Sequence, residues 1–210
     1  KKLKTPRSIN SFIMGYKYQK EDIIALGSEL IRKNGYHNVG INEILKICAI
    51  PKGSFYNFFS SKEDFIAQSI QLYGSKNLDL IRSFLEAKEP SPTQRLRNLY
   101  QYMLNINDQE GCNAGCLINN LSIELAGMNP PIAKIIDAQF QEMVVEIAHC
   151  VQEGQDLGEI TQKFSALYIA EYIHAGIGGA FSRMKAQNNR AYLDKWFAMT
   201  FEFIAVKALV

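Results

Sequence analysis

The 210-residue sequence predicts an all-α protein. Apolar residues recur at three- and four-residue spacing through most of the chain, as one face of a helix requires. Proline and glycine-containing breaks cut these runs at helix-length intervals. No segment shows the sustained polar–apolar alternation of a half-buried strand, and no repeat is visible. About nine helices follow.

Residues 1–17 have no period and are interrupted by Pro6 and Gly15, so they are expected to form a flexible basic arm. Helix one begins near Tyr18, carries Ile23, Leu26, Leu30 and Ile31, and stops at Asn34-Gly35. A short second helix carries Ile41, Ile44, Leu45 and Cys48. Pro51 breaks the chain and is placed to open a third helix, where its missing N–H costs nothing. Ser60 or Ser61 can cap a fourth helix running to about Ala87, with Ser61 and Asp64 as a loose capping box. After Pro90 and Pro92 a fifth helix spans about Leu96 to Ile106, and Asp108 to Gly115 is a break. Leu117, Leu121 and Leu125 mark a sixth helix that ends at Asn129-Pro130-Pro131. Ile132 to Val151 is amphipathic, and Gly154 and Gly158 make a turn. Two long apolar helices follow, Phe164 to about Lys185 and Tyr192 to Leu209.

Composition bounds the function. Hydrophobic residues are 47% and charged residues 21%, ordinary for a globular protein. No run of 18 apolar residues and no signal peptide is visible, so the expected location is the cytoplasm. Cys48, Cys112, Cys116 and Cys150 form neither a CxxC pair nor a zinc pattern and are expected to be thiols. No nucleotide loop, HExxH or GxSxG is present, so neither an enzyme nor a cofactor is expected. The net charge of +2 hides an asymmetry: residues 1–65 hold eleven Lys and Arg against six Asp and Glu, the remainder twelve against fifteen. A basic front on an acidic body suits a polyanionic partner, although Lys1, Lys2, Lys4 and Arg7 supply most of the excess.

Two short helices joined by a tight break suggest a helix-turn-helix, whose second helix lies in the major groove of DNA. The run from Gly40 to Phe65 contains an isoleucine-bearing helix and a small-residue turn. Lys52-Gly53-Ser54-Phe55-Tyr56-Asn57-Phe58-Phe59 and Lys62-Glu63 follow. It resembles the signature of the TetR family of transcriptional regulators, a likeness that extends over about residues 18 to 66. The resemblance implies a DNA-binding domain at 18–65 and a ligand-sensing and dimerisation domain at 66–210. Lys52 and Lys62 can neutralise phosphates, Gly53 allows close backbone approach, and Ser54 and Tyr56 can reach phosphate or base. Free N–H groups at the start of helix three can receive a phosphate. Asn57 stands where the family often has His and can pair with adenine. Ile44, Phe58 and Phe65 read as core. Taken singly, Lys62 reads as a solvated charge and Tyr56 as a core-edge aromatic; their joint spacing carries the assignment. Ala49 replaces the usual turn glycine and should strain the turn. Gly40 replaces the usual capping Thr or Ser.

In the TetR family the last two helices usually pair with those of a second subunit. Phe164 to Phe181 and Trp196 to Val206 are apolar around much of their circumference, which fits a homodimer. Gly176, Gly178, Gly179 and Ala180 would permit close helix contact. Gly115-Cys116-Leu117-Ile118-Asn119-Asn120-Leu121-Ser122-Ile123-Glu124-Leu125 looks like the G-C-L-x-x-N-L-x-x-E-L run of the TetR subgroup that holds the electrophile-responsive NemR and acrylate-responsive AcuR regulators. Cys112 and Cys116 are therefore candidate redox or electrophile sensors, with inert packing thiols as the alternative; on a helix they would share a face. Candidate ligand contacts are Tyr100, Met103, Cys116, Met143, Tyr168, Tyr172, His174 and Trp196, aromatic or polar groups that interrupt apolar helices. The expected partners are operator DNA, a small-molecule inducer and a second copy of the chain. The competing expectation is a helical interaction module that no longer binds DNA.

Overall fold

The computed structural model describes residues 18–206, so the basic arm lies outside the described residues. The last helix, expected to reach Leu209, ends at Ile204, because Ala205 turns extended and pairs with Ile160. Among the described residues there are nine helices: α1 (Lys20–Asn34), α2 (Ile41–Cys48), α3 (Lys52–Tyr56), α4 (Lys62–Leu85), α5 (Pro92–Gln109), α6 (Leu117–Leu125), α7 (Pro130–Asp156), α8 (Ala166–Gln187) and α9 (Ala191–Ile204). Extended pairing among them is confined to one isolated bridge, Ile160 with Ala205. None of these helices is long and apolar enough to cross a membrane.

Local chemistry sets the boundaries. Helix α2 starts at Gly40, whose N–H donates to Glu43 Oε2 at 2.9 Å. Glu43 thus provides half of a capping box, and the missing Thr or Ser hydroxyl is partly compensated. The helix ends at Ala49, which is left-handed (φ 53°, ψ 41°), as its place in the turn foretold. Ser61 caps α4 by accepting from the Asp64 N–H at 3.0 Å. Asp64 turns instead to Ser60, accepting from its N–H at 2.7 Å and its hydroxyl at 3.0 Å.

The first three helices close on a cluster of phenylalanines. Phe55, Phe59 and Phe65 are all within 1% of full burial, with centroids 5.0, 5.1 and 5.8 Å apart. Each such side chain contributes about 2–3 kcal/mol by leaving water. Gly27 lets α1 lie against them, since a Cβ there would come within 2.7 Å of the Phe65 ring. Phe65 and Ile44 are fully buried, as expected, while Phe58 packs half-buried at the edge.

Helix α4 is continuous from this cluster into the larger C-terminal bundle, so the expected division at residue 65 falls inside a helix. Helix α7 packs on α4, α5 and α8, and α9 lies against α8 and α5. Two of the three glycines of α8 serve contacts within the chain. A Cβ at Gly176 would meet Trp196 Nε1 at 2.5 Å, and one at Gly178 would meet Asn119 Oδ1 at 2.8 Å. Gly179 faces open space.

Candidate DNA-binding surface and sensor cavity

The residues expected to meet DNA separate into two groups. Lys52, Gly53, Tyr56 and Asn57 are exposed together on and just after α3, and Ser54 is half-buried beside them. Phe55, on the opposite side of this short helix, anchors it in the core. A Cβ at Gly53 would meet nothing within 4 Å, so the backbone there is open to a close-approaching partner. The Ser54 N–H is already bonded to the Pro51 carbonyl at 3.0 Å, which confines any phosphate contact of the helix start to Lys52 and Gly53.

Lys62 stands apart. Its Nζ donates to the Tyr36 carbonyl and lies 3.8 Å from the centroid of the Tyr36 ring. Burial holds its pKa below the usual lysine value, against the pull of Glu63, Glu124 and Glu43. The expected phosphate contact is thus a cation already engaged by the turn between α1 and α2. That turn is far from α4 in sequence, so the spacing of the motif gave no sign of it.

The C-terminal bundle holds a partly open cavity of about 280 Å³ between α1, α4, α5, α6, α7, α8 and the segment before α6. Five of the expected ligand contacts line it: Tyr100, Met103, Cys116, Met143 and His174. Tyr168 and Tyr172 do not. They are 65% and 48% exposed on the outer face of α8, and Tyr172 lies 5.2 Å from Phe203 of α9. Trp196 packs edge-on against Tyr100 at 5.0 Å, behind the cavity wall. His174 lies edge-on to Phe140 at 5.0 Å, and burial lowers its pKa, so the ring is neutral at neutral pH.

Sequence reading missed the polar wall of the cavity. Glu29 and Arg32 come from α1, Tyr73 and Asn77 from α4, Asn107 from α5 and Glu110 from just beyond it, so no single motif spans them. Arg32 is 7% exposed and belongs to α1 of the helix-turn-helix. Its Nε and Nη2 donate to Glu29 at 2.7 and 2.9 Å, Nη2 to Glu110 at 2.9 Å, and Nη1 to the Gly115 carbonyl at 2.7 Å. Asn120 adds a second tie, donating to the Arg32 carbonyl at 3.2 Å and the Ala114 carbonyl at 2.8 Å while its Oδ1 accepts from Lys185 at 3.2 Å. Glu124 adds a third, accepting from the Tyr36 N–H at 2.8 Å. The Gly115, Asn120 and Glu124 positions of the G-C-L-x-x-N-L-x-x-E-L run are therefore the joints between the DNA-binding helices and the sensor bundle.

Cys112 and Cys116 do not share a helix face. Gly111 (φ 82°), Cys112 (φ 58°) and Gly115 (φ 69°) are all left-handed, and α6 begins only after Cys116. Two glycines and the need to turn the chain outweigh helical continuation here. Cys112 is buried with its sulfur 3.9 Å from Asp108 Oδ1, and burial together with that carboxylate raises its pKa. Cys116 lies on the cavity wall. Burial raises its pKa too, opposed by the N–H groups of Asn119 and Ile118 and by the Tyr73 phenol, all of which favour the thiolate. Among the described residues no group of His, Cys, Asp and Glu is arranged to hold a metal ion.

Comparison with known proteins agrees with this geometry. The profile described as "Bacterial regulatory proteins, tetR family" matches residues 23–68, and that described as "Tetracyclin repressor-like, C-terminal domain" matches residues 92–200. The chain is 31% identical over 183 residues to the HTH-type transcriptional repressor DhaR of Mycobacterium sp. (strain GP1), covering 87% of this chain and 90% of that protein. It is 27% identical to the HTH-type transcriptional repressor NemR of Escherichia coli (strain K12), covering 78% and 85%. The reduced form of E. coli NemR superposes with a TM-score of 0.83 at 26% identity, covering 90% of this chain and 98% of that one. A TetR regulatory protein from Rhodobacter sphaeroides gives 0.84 at 26% identity, covering 88% and 98%. The chain belongs to the TetR family of bacterial transcriptional regulators, a family of DNA-binding proteins and not of enzymes.

Proposed function

We propose that the protein is a cytoplasmic homodimeric repressor that leaves a palindromic operator when a small molecule enters the cavity beside Cys116. The observation that carries this reading is Arg32: one side chain of the DNA-binding domain forms part of the cavity wall and holds the Gly115 carbonyl. A ligand that displaces residues 110–116 must disturb α1, and α1 positions α2 and α3. By linkage, operator binding and ligand binding weaken each other by one factor.

The dimer reading rests on the outer face of α8 and α9. Phe164, Leu167, Tyr168, Tyr172, Met199 and Phe203 are 43–70% exposed there in a single chain. Such a patch suits burial against its own copy, in keeping with TetR-family dimers. Two recognition helices held about 34–36 Å apart would then reach successive major grooves. Lys52, Gly53, Ser54, Tyr56 and Asn57 are the proposed contacts, with Lys62 supporting the turn from behind.

A second reading concerns an electrophile or oxidant. Cys116 is the thiol on the cavity wall; burial raises its pKa, and three donors oppose that rise without overturning it. Modification there would fill the cavity and press on Gly115. Cys112 lacks comparable donors and sits beside a carboxylate.

The test is operator affinity of Lys52→Ala and Tyr56→Phe, measured on DNA flanking the protein's own gene. Both should weaken binding with the melting temperature unchanged. Lys52→Ala should also reduce the log–log salt slope by about 2, one phosphate per subunit. Unchanged affinity in both would remove the proposed surface. Release by N-ethylmaleimide that survives Cys116→Ser would end the covalent reading.

A further inference from the structure

The charges on the cavity wall sit together and are spent on one another. Along α5 and its end, the lining runs from Leu99 through Met103 and Ile106 to Glu110, about 16 Å along the helix axis. Glu110 stands at one limit of that run, where it meets Arg32 and Glu29 of α1. Among the described residues that line the cavity, Arg32 is the one permanent cation, and burial keeps His174 neutral at neutral pH. Much of the remaining wall is apolar, with Ile81, Leu99, Met143, Ile147 and Ile177 all buried.

A buried guanidinium on a cavity wall is ordinarily a seat for a carboxylate, because its planar fork matches two oxygens at once. Here that seat is taken from within the chain. Arg32 Nε donates to Glu29 Oε2 at 2.7 Å and Nη2 to Glu29 Oε1 at 2.9 Å, a complete fork. Nη2 also donates to Glu110 Oε2 at 2.9 Å, and Nη1 to the Gly115 carbonyl at 2.7 Å. Two carboxylates against one guanidinium leave an excess of negative charge. A carboxylate ligand would have to displace a glutamate and then face the other. A cation would have to shed its water beside Arg32, on a wall whose carboxylates are already paired.

We propose that Glu29 and Glu110 determine the specificity of the cavity: they occupy the Arg32 fork, close it to carboxylates, and leave a site for an uncharged, largely apolar molecule. The volume admits on the order of ten non-hydrogen atoms, allowing about 30 Å³ for each as for a water in the liquid. Met103, Met143 and Phe140 suit an aromatic ring. This inference rests on the reading of the cavity as the effector site.

The test uses acetophenone, benzoate and benzamidinium, which share one shape and the same number of non-hydrogen atoms and differ in charge. Binding to the full chain is measured by calorimetry at neutral pH, and operator release in parallel by mobility shift. Acetophenone should bind about tenfold or more tightly than either ion. In the double variant Glu29→Gln, Glu110→Gln, which keeps the shape of the wall and removes both negative charges, benzoate should gain about tenfold and acetophenone change less than about threefold. Glu110→Gln alone leaves Glu29 on the fork and should give part of that gain, so a poorly folded double variant does not remove the test. Benzoate or benzamidinium binding as tightly as acetophenone, or no binding of any probe, overturns the ligand class. A benzoate affinity unmoved in the folded variants overturns the role given to the glutamates. Selective acetophenone binding without release of DNA would keep the ligand class and overturn the effector reading instead.

Discussion

Replacing Arg32 with Met should uncouple the two halves of the protein. The substitution keeps the apolar stem and removes the bonds to Glu29, Glu110 and the Gly115 carbonyl. The Gly115 carbonyl loses a charged donor in a buried setting, which costs about 1–3 kcal/mol. Glu29 and Glu110 are 41% and 36% exposed and can be rehydrated, so each lost ion pair adds only about 0–1 kcal/mol. The sum is about 1–5 kcal/mol, a fall in melting temperature on the order of 10 °C for a chain of this size. Stability alone would not distinguish coupling from packing. The deciding assay is amide hydrogen exchange over residues 111–125, with and without DNA flanking the gene. Operator binding should change protection there several-fold in the parent protein and leave it unchanged in Arg32→Met. Arg32→Lys, which keeps the charge but cannot form the fork, should recover part of the stability and little of the coupling. A destabilised Arg32→Met that still transmits the full change would refute the reasoning and make Arg32 a packing residue.

Three further outcomes follow from individual side chains. Ala49→Gly relieves a left-handed Cβ, a gain of about 1–2 kcal/mol offset by about 0.4–1 from the freer unfolded chain, so the melting temperature should rise by about 2 °C; a fall would show that the turn is unstrained. His174 has a lowered native pKa because burial disfavours its cation. The unfolded chain therefore takes up a proton first as pH falls below the usual 6.5, and the folded state should lose up to about 1.4 kcal/mol per pH unit until the native pKa is reached. In urea titrations His174→Gln should lack that slope, and an identical slope would mean that another group sets it. Lys62→Ala should weaken operator binding by loosening the Tyr36 turn while leaving the salt slope unchanged; a slope lowered by about 2 would restore Lys62 as a phosphate contact.

The helices were legible because burial on one face imposes a period, and their ends because proline, glycine and capping side chains act locally. The strain at Ala49 could be read the same way, since a two-helix turn fixes which residue must be left-handed. Helix α7 runs to Asp156, past the expected Val151, because Gly154 there admits Ile160 rather than ending the helix. Contacts that join distant segments were not legible. Lys62 meets Tyr36 and Arg32 meets Gly115 across long stretches of chain, and neither carries a local signature. Tyr168 and Tyr172 interrupt an apolar helix just as Tyr100 does, but the rotation of α8 turns them outward. The cavity's polar wall is assembled from α1, α4 and α5 together with the segment before α6, so only the fold brings it together.

The central claim is that this surface holds an operator and that the cavity controls it. The most direct measurement is a mobility shift on DNA flanking the protein's own gene at two salt concentrations, repeated after treatment with N-ethylmaleimide. The account predicts a shift that weakens steeply with salt and is released by the thiol reagent. A shift that neither salt nor the reagent alters, or none on that DNA and none after selection from random sequences, would contradict it.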